Sequence, residues 1–312
     1  MIHGFVVIVL HSSAWMFDVI VVGGGPAGLS AALMLGRCRR RVLVCDFGQP
    51  RNRRSRALHG YLTRDSIEPA AFNDLGRREL AAYGVEFRSV GVTGARREPA
   101  HFRVALADGA EEQARFLLIA TGVIDDLPAI PGFEECYGRS IFHCPYCDGW
   151  ECRDRRIAAF GRGRDVVHLA LGLRAWSGDV VVCSHGTRLD RHGRERLARN
   201  GIDVRAERIA AIDHRDGELM RVVFEGGDAI DRDALFFTTA QHPQSPLAVA
   251  LGCDLTPRGA VKTGSLSDTN VDRVFVAGDA SRDAQFVVVA AAEGVKAAVA
   301  INKALQAEEL AR

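Results

Sequence analysis

A run of six residues rich in β-branched side chains, Phe17 to Val22 (FDVIVV), leads straight into three glycines, Gly23 to Gly25, and a helix-like segment opens at Pro26. This junction restricts the fold more than any other feature of the chain. The spacing is Gly23-x-Gly25-x-x-Gly28. In such a turn the first glycine permits the tight bend, the second admits a pyrophosphate against the backbone, and the third lets helix and strand pack closely. Pro26 and Ala27 lie between the last two, at the start of the helix, where unpaired N–H groups attract phosphate. A second buried strand, Val42 to Cys45, ends at Asp46, where an acid can accept hydrogen bonds from a ribose. A glycine-rich turn without a ligand is the plain alternative. Strand, turn, helix, strand and terminal acid together predict a dinucleotide-binding βαβ unit.

A second such unit begins about 140 residues later: a strand at Arg156 to Phe160, a turn at Gly161 to Gly163, a helix at Asp165 to Ala175 and a strand at Asp179 to Cys183. Leu127 to Gly132 (LPAIPG) and His242 to Pro246 carry the prolines of two hinges. The predicted fold class is therefore α/β, with two Rossmann-like dinucleotide-binding domains, the second inserted into the first. Residues 17–126 and 241–312 form the outer domain, residues 127–240 the inserted one, and residues 1–16 an N-terminal extension. Between these landmarks the pattern predicts a loop at Asn52 to Ser66 and a helix at Pro69 to Tyr83. Strands are expected at Val85 to Val90, Phe102 to Leu106, Phe116 to Ile119, Phe236 to Thr239 and Arg273 to Ala277, and a long alanine-rich helix from about Ala284 to Leu305.

The charge balance narrows the partners. Forty basic residues face 39 acidic ones, a formal net charge of +1, which predicts neither nucleic-acid nor membrane binding. The apolar run Phe5 to Leu10 lacks preceding basic residues and is too short to span a bilayer, so it reads as an extension rather than an export signal. A cytoplasmic protein is expected. Eight cysteines are scattered over 312 residues, unlike a small secreted disulfide scaffold. Two of them, Cys144 and Cys147, stand two residues apart in His143-Cys144-Pro145-Tyr146-Cys147-Asp148-Gly149. Such a pair can open and close a small disulfide ring, provided a neighbouring acid or base handles the proton. His143 and Asp148 flank the pair and can do so. Zinc held by Cys136, Cys144, Cys147 and Cys152 is the rival reading, although structural zinc usually uses two close cysteine knuckles and only one is present.

The segments GGGPAGLSAA (Gly23 to Ala32), LIATG (Leu118 to Gly122) and VAGDAS (Val276 to Ser281), together with C-P-Y-C-D-G, resemble the motifs of the low-molecular-weight thioredoxin reductases in order and spacing, over nearly the whole chain from Phe17 onward. That resemblance implies a bound FAD. It places Thr121, Gly122 and Asp279 against the cofactor, Asp279 on the ribityl chain or nearby phosphate. It puts Gln285, Phe286 and Val287 near the isoalloxazine, and His59 at a position close to FAD. It also implies that Cys147 faces the flavin, Cys144 exchanges with the external substrate, and Asp148 gives and takes the proton. A homodimer is implied by the same likeness.

The second glycine motif departs from the family. Phe160-Gly161-Arg162-Gly163-Arg164-Asp165-Val166 has a valine where a small residue allows close packing and a long arginine inside the turn. Where NADPH users carry a histidine and paired arginines, this chain has Ser184-His185-Gly186-Thr187-Arg188, followed by Arg191 and Arg194. NADPH is therefore a doubtful cofactor. The combination resembles the dithiol oxidases that form disulfides in natural products such as gliotoxin and holomycin and pass electrons to oxygen. The expectation is an FAD-dependent dithiol–disulfide oxidoreductase acting on a small dithiol or disulfide or a thioredoxin-like protein, with oxygen or another electron partner. An NADPH-dependent thioredoxin reductase and a flavin-based redox sensor acting on a partner protein are the alternatives.

Overall fold

The chain was analysed as a computed structural model that describes residues 16–281 and 284–311. The Phe5 to Leu10 run and most of the N-terminal extension lie outside the described residues. The chain divides into two compact units. One holds the described residues up to Pro50, Asn73–Val123 and those from Pro243 onward; the other holds Arg51–Phe72 and Ile124–His242. Residues 51–72, read from sequence as part of the outer domain, thus group with the second unit.

The first unit is built on a sheet of strands β1 (Phe17–Val22), β2 (Val42–Cys45), β3 (Glu86–Arg88), β4 (Val92–Arg97), β5 (Phe102–Leu106) and β6 (Glu111–Ile119), in the order β3-β2-β1-β6-β5-β4, with Val274–Val276 also paired to β6. The pairs β3-β2, β2-β1 and β1-β6 are parallel, with Val19 opposite Val42 and Phe116. Strand β1 has no polar side chain after Asp18 because both of its faces are covered. Val19 and Val21 join a core formed with Ala31, Ala32 and Leu35 of helix α1 (Pro26–Arg37) and Ala297, Ala298, Ile301 and Leu305 of the C-terminal helix Val287–Leu310. Ile20 and Val22 face a second core with Phe102, Val104, Leu117, Ile119 and Leu247.

The second unit carries a five-stranded parallel sheet ordered Asp203–Arg205, Val180–Cys183, Ile157–Phe160, Ala234–Phe237 and Ile141–Phe142. An antiparallel meander, Ile209–Arg215, Glu218–Phe224 and Ala229–Asp231, accompanies it. The helix after the second glycine turn runs Gly163–Leu173. The α/β class with parallel sheets is what the sequence predicts.

Several boundaries differ from expectation. Strand β4 (VTGARR) is polar and glycine-containing, so it carries no strand signal, yet it pairs antiparallel with β5 at the sheet edge. Strand β6 begins at Glu111, five residues before its apolar stretch, because β5 supplies ladder partners there. The expected strand at Val85 to Val90 shrinks to Glu86–Arg88, and the C-terminal helix starts at Val287 rather than near Ala284.

Candidate active site

In the first unit the three separated motifs meet around one turn. Gly23 has φ +108°, a conformation closed to most side chains, and a methyl group on it would lie 2.4 Å from Ala120 O, at the end of β6. A methyl on Gly28 would lie 1.9 Å from Gly23 O, so helix and turn touch backbone to backbone there. Ala27 is buried, and Gly278 of the last motif approaches it so closely that a methyl on Gly278 would lie 3.0 Å from Ala27 Cβ. Ala277 N donates to Ile119 O over 3.0 Å, joining the last motif to the LIATG strand.

Gly25 is different from its neighbours. It is extended (φ −77°, ψ −175°), and a methyl there meets nothing within 4 Å; Gly122, which follows Thr121, borders open space too but with φ +72°. No side chain caps the start of α1, and Pro26 occupies its first turn. Within the motif, Gly23 and Gly28 pack against protein and Gly25 borders open space, and Gly25 is the position where a pyrophosphate needs backbone approach. The cradle fits FAD. Asp46 accepts from Gly24 N over 3.1 Å and from Arg77 Nη2 over 2.9 Å, so the acid expected at the ribose is also oriented by the protein. Arg77 carries no sequence signal for this. Neither does Glu293, a buried carboxylate of the C-terminal helix whose Oε2 accepts from Gly278 N at 2.9 Å and so fixes the turn before Asp279. Asp279 is half-buried; Gln285 and Phe286 precede the C-terminal helix, and Val287 is its first residue.

In the second unit Cys144 and Cys147 form a disulfide. Cys144 is the N-cap of a single helical turn, Pro145–Asp148, which Pro145 favours by its fixed φ. The N–H groups of Cys147 and Asp148 both donate to Cys144 O, at 3.1 and 3.2 Å. Gly149 ends the turn against the Trp176 ring, 2.8 Å from where a methyl would sit, which explains the glycine of the motif. Tyr146 and Trp150 on either side are 79% and 66% exposed. Cys136 and Cys152 are buried free thiols pushed up by burial to about 11 and about 12. Among the described residues no group of three or more His, Cys, Asp or Glu side chains could hold a metal ion.

Burial, and then the charge of Glu151, push the Asp148 carboxyl up to about 7. His143 moves the other way. Burial and the nearby Arg51 guanidinium lower it to about 4, despite the attraction of Asp125. A hydrogen-bonded chain explains its setting: His143 Nδ1 lies 3.0 Å from Tyr137 Oη, which donates to Asp125 Oδ2 at 2.8 Å. Arg51 grips Asp125 with two bonds, of 2.7 and 2.5 Å. None of Arg51, Tyr137 and Asp125 is singled out by a sequence pattern. His59, expected close to FAD, belongs to this second unit, its Nδ1 within 3.8 Å of Asp65 and 3.7 Å of Glu151.

The second glycine turn is tight at its first position and open at its second: a methyl on Gly163 (φ +57°) meets nothing within 4 Å. Gly161 is confined by Thr238 Oγ1, 2.4 Å from where a methyl would lie, and Val166 is fully buried in the core beside it. His185 Nδ1 accepts from Ile209 N at 2.9 Å. Arg194 donates to Leu189 O and Arg191 pairs with Glu195.

Fold, glycine cradle and disulfide turn together define a class. Residues 17–294 match the family described as pyridine nucleotide-disulphide oxidoreductase, and the chain belongs to it. Within that class it is a thioredoxin-reductase-like FAD oxidoreductase acting on sulfur groups. A probable thioredoxin reductase of Arthroderma benhamiae is 32% identical over 94% of this chain and 81% of its own length. The solved structure of HlmI superposes with a TM-score of 0.92 at 36% identity, covering 95% of this chain and 94% of that one. The putative thioredoxin reductase TrxB of Bacillus anthracis gives 0.90 at 32% identity, covering 94% and 99%.

Proposed function

We propose that the chain oxidises a substrate dithiol through Cys144–Cys147 and hands the electron pair to FAD, with little use of NADPH. The observation that carries this reading is the segment after Val180–Cys183. Of Arg188, Arg191 and Arg194, which follow Val180–Cys183, the last two have protein partners, and His185 is turned to the backbone of Ile209. Of these three only Arg188 remains for a 2′-phosphate, beside Arg162 and Arg208, which act on His185, and the histidine with paired arginines of the NADPH users is not reproduced. Each lost charge-assisted bond costs about 1.5–3 kcal/mol, roughly ten- to a hundredfold in affinity.

FAD supplies a two-electron acceptor. The chain's own residues supply the sulfur and proton chemistry. Cys144, at the N-terminus of its helical turn, takes the incoming sulfur; Cys147 is the leaving sulfur; Asp148, poised near neutrality, protonates and deprotonates the pair. Gly23, Gly25, Pro26, Ala27, Gly28, Asp46, Thr121, Gly122 and Asp279 hold the cofactor, with Gln285, Phe286 and Val287 at its ring. Oxygen is the proposed final acceptor, and a small dithiol or a thioredoxin-like protein the donor. A homodimer and a cytoplasmic location complete the reading; the buried, unpaired thiols accord with the latter.

Anaerobic mixing tests the electron route. Dithiothreitol should bleach the flavin within seconds, and micromolar NADPH should leave it yellow over the same time. Rapid bleaching by NADPH would restore thioredoxin reductase as the better description. The proton role has its own test. An Asp148 carboxyl at about 7 is protonated below that pH and ionised above it, so protonation of the leaving sulfur slows as pH rises through 7. Asp148→Asn should lower the bleaching rate by about a hundredfold and remove that limb of the pH profile. A profile unchanged by the substitution would exclude Asp148 as the donor.

A further inference from the structure

The chain from Arg51 to His143 has a direction that can be read by counting hydrogens. A carboxylate accepts and cannot donate when ionised. Burial pushes the Asp125 carboxyl up, but the hydrogen bonds and charge of Arg51 outweigh it and hold the group below the usual carboxylate range. Its oxygens receive Arg51 Nε and Nη2, Gln241 Nε2 and Tyr137 Oη, so the single phenolic hydrogen of Tyr137 is spent on Asp125. Burial, with Asp125 next, pushes the Tyr137 hydroxyl far above its ordinary range, so that hydrogen stays in place. Tyr137 Oη can then only accept from His143, and the donor is Nδ1–H. A neutral imidazole carries one hydrogen, which leaves Nε2 bare.

We propose that Tyr137, clamped by Asp125 and Arg51, is a positioning residue that fixes His143 in the Nδ1–H tautomer, so that Nε2 is the base for the attacking thiol of the substrate. This rests on the dithiol reading above. In the step assigned to it, the substrate S–H proton passes to Nε2 as the sulfur bonds to Cys144 Sγ. The Cys144–Cys147 bond breaks, and its electron pair leaves on Cys147. One thiol proton and one bond are exchanged, and the mixed disulfide carries the oxidation to the substrate's second thiol. The same orienting logic recurs wherever an acid holds an imidazole through one nitrogen so that the other can act. Here a tyrosine stands between acid and imidazole. That keeps the carboxylate away from the ring, and burial together with Arg51 keeps the ring neutral.

The groups that bear on His143 are Tyr137, Asp125 and Arg51, with Asp148 also acting electrostatically on Tyr137. Two measurements test the assignment. In wild-type holoenzyme with the disulfide intact, 15N-resolved spectra of His143 should show a protonated Nδ1 and a bare Nε2 throughout pH 5.5 to 8, a window chosen as roughly one to several units above a ring lowered in this way. An Nε2–H tautomer or an imidazolium in that window would overturn the proposal. In Tyr137→Phe, with FAD content equal to wild type, bleaching by dithiothreitol should slow by about ten- to a hundredfold, and the tautomers should become mixed. A wild-type rate with an unchanged tautomer would also overturn it. His143→Gln separates the two layers. If it is slow while Tyr137→Phe is fast, His143 acts without Tyr137 and only the positioning role fails. If dithiothreitol fails to bleach the wild-type flavin, the dithiol reading itself has failed.

Discussion

Gly25→Leu should give a folded but colourless protein. The backbone at Gly25 is extended, which any residue adopts, and a Cβ there meets no protein atom within 4 Å. The larger side chain therefore projects into the space where the pyrophosphate must approach, without disturbing the turn. Gly28→Ala is the contrasting case. Its methyl would meet Gly23 O at 1.9 Å, so the turn itself must break. The Gly25→Leu variant should retain less than about a tenth of wild-type FAD, and its melting temperature should match that of wild type stripped of flavin. Ligand linkage sets the size of that drop, about 4 kcal/mol where free ligand exceeds Kd a thousandfold. A yellow Gly25→Leu protein with stoichiometric FAD would sink the cradle assignment.

The second large effect is expected at the disulfide. Cys147→Ser and Cys144→Ser should each lower dithiol turnover by roughly a thousandfold or more, the scale that accompanies removal of a reacting nucleophile. The nearest cysteines in sequence cannot stand in for either sulfur. Cys136 and Cys152 are buried, with thiols pushed up to about 11 and about 12, so neither offers a thiolate at neutral pH. Cys152→Ser and Cys136→Ser should accordingly keep the chemistry while losing some stability, as a polar group replaces a small apolar one. Steady-state oxygen consumption with dithiothreitol compares all four. Full activity in Cys147→Ser would remove the sulfur pair from the mechanism.

What sequence made legible follows from local physics. Strand β1 is predicted to the residue because both of its faces are covered, so its apolar run is unbroken from Val19 to Val22 and ends at a glycine. The cysteine turn announces itself for the same local reason: proline at its first position and glycine at its end are forced by backbone geometry and by the Trp176 ring. Long-range partners left no trace. Arg51 stands just before the stretch Asn52 to Ser66 that reads as a loop, and its bond to Asp125 spans 74 residues. Glu293 sits in an alanine-rich helix, where a buried carboxylate is indistinguishable in pattern from a solvent-facing one. Strand β4 escaped notice because an edge strand needs only a partner's ladder, not an apolar pattern of its own.

The bracing of the glycine turn sets an order of events during synthesis. Helix α1 precedes by about 250 residues the helix whose contact packs it, Val287–Leu310: a methyl on Gly294 would lie 2.0 Å from Ala27 O. Arg40 Nε reaches Asn302 Oδ1 at 2.7 Å, and Arg115 Nη2 reaches Glu308 at 2.6 Å. The strand Val274–Val276 joins β6 from the same late segment. A nascent chain still lacking residues 274–310 on the ribosome therefore exposes the apolar face of α1 and has no rigid nest for a phosphate. Flavin uptake should therefore follow synthesis of residues 274–310, and the half-made first unit is the species expected to expose most apolar surface.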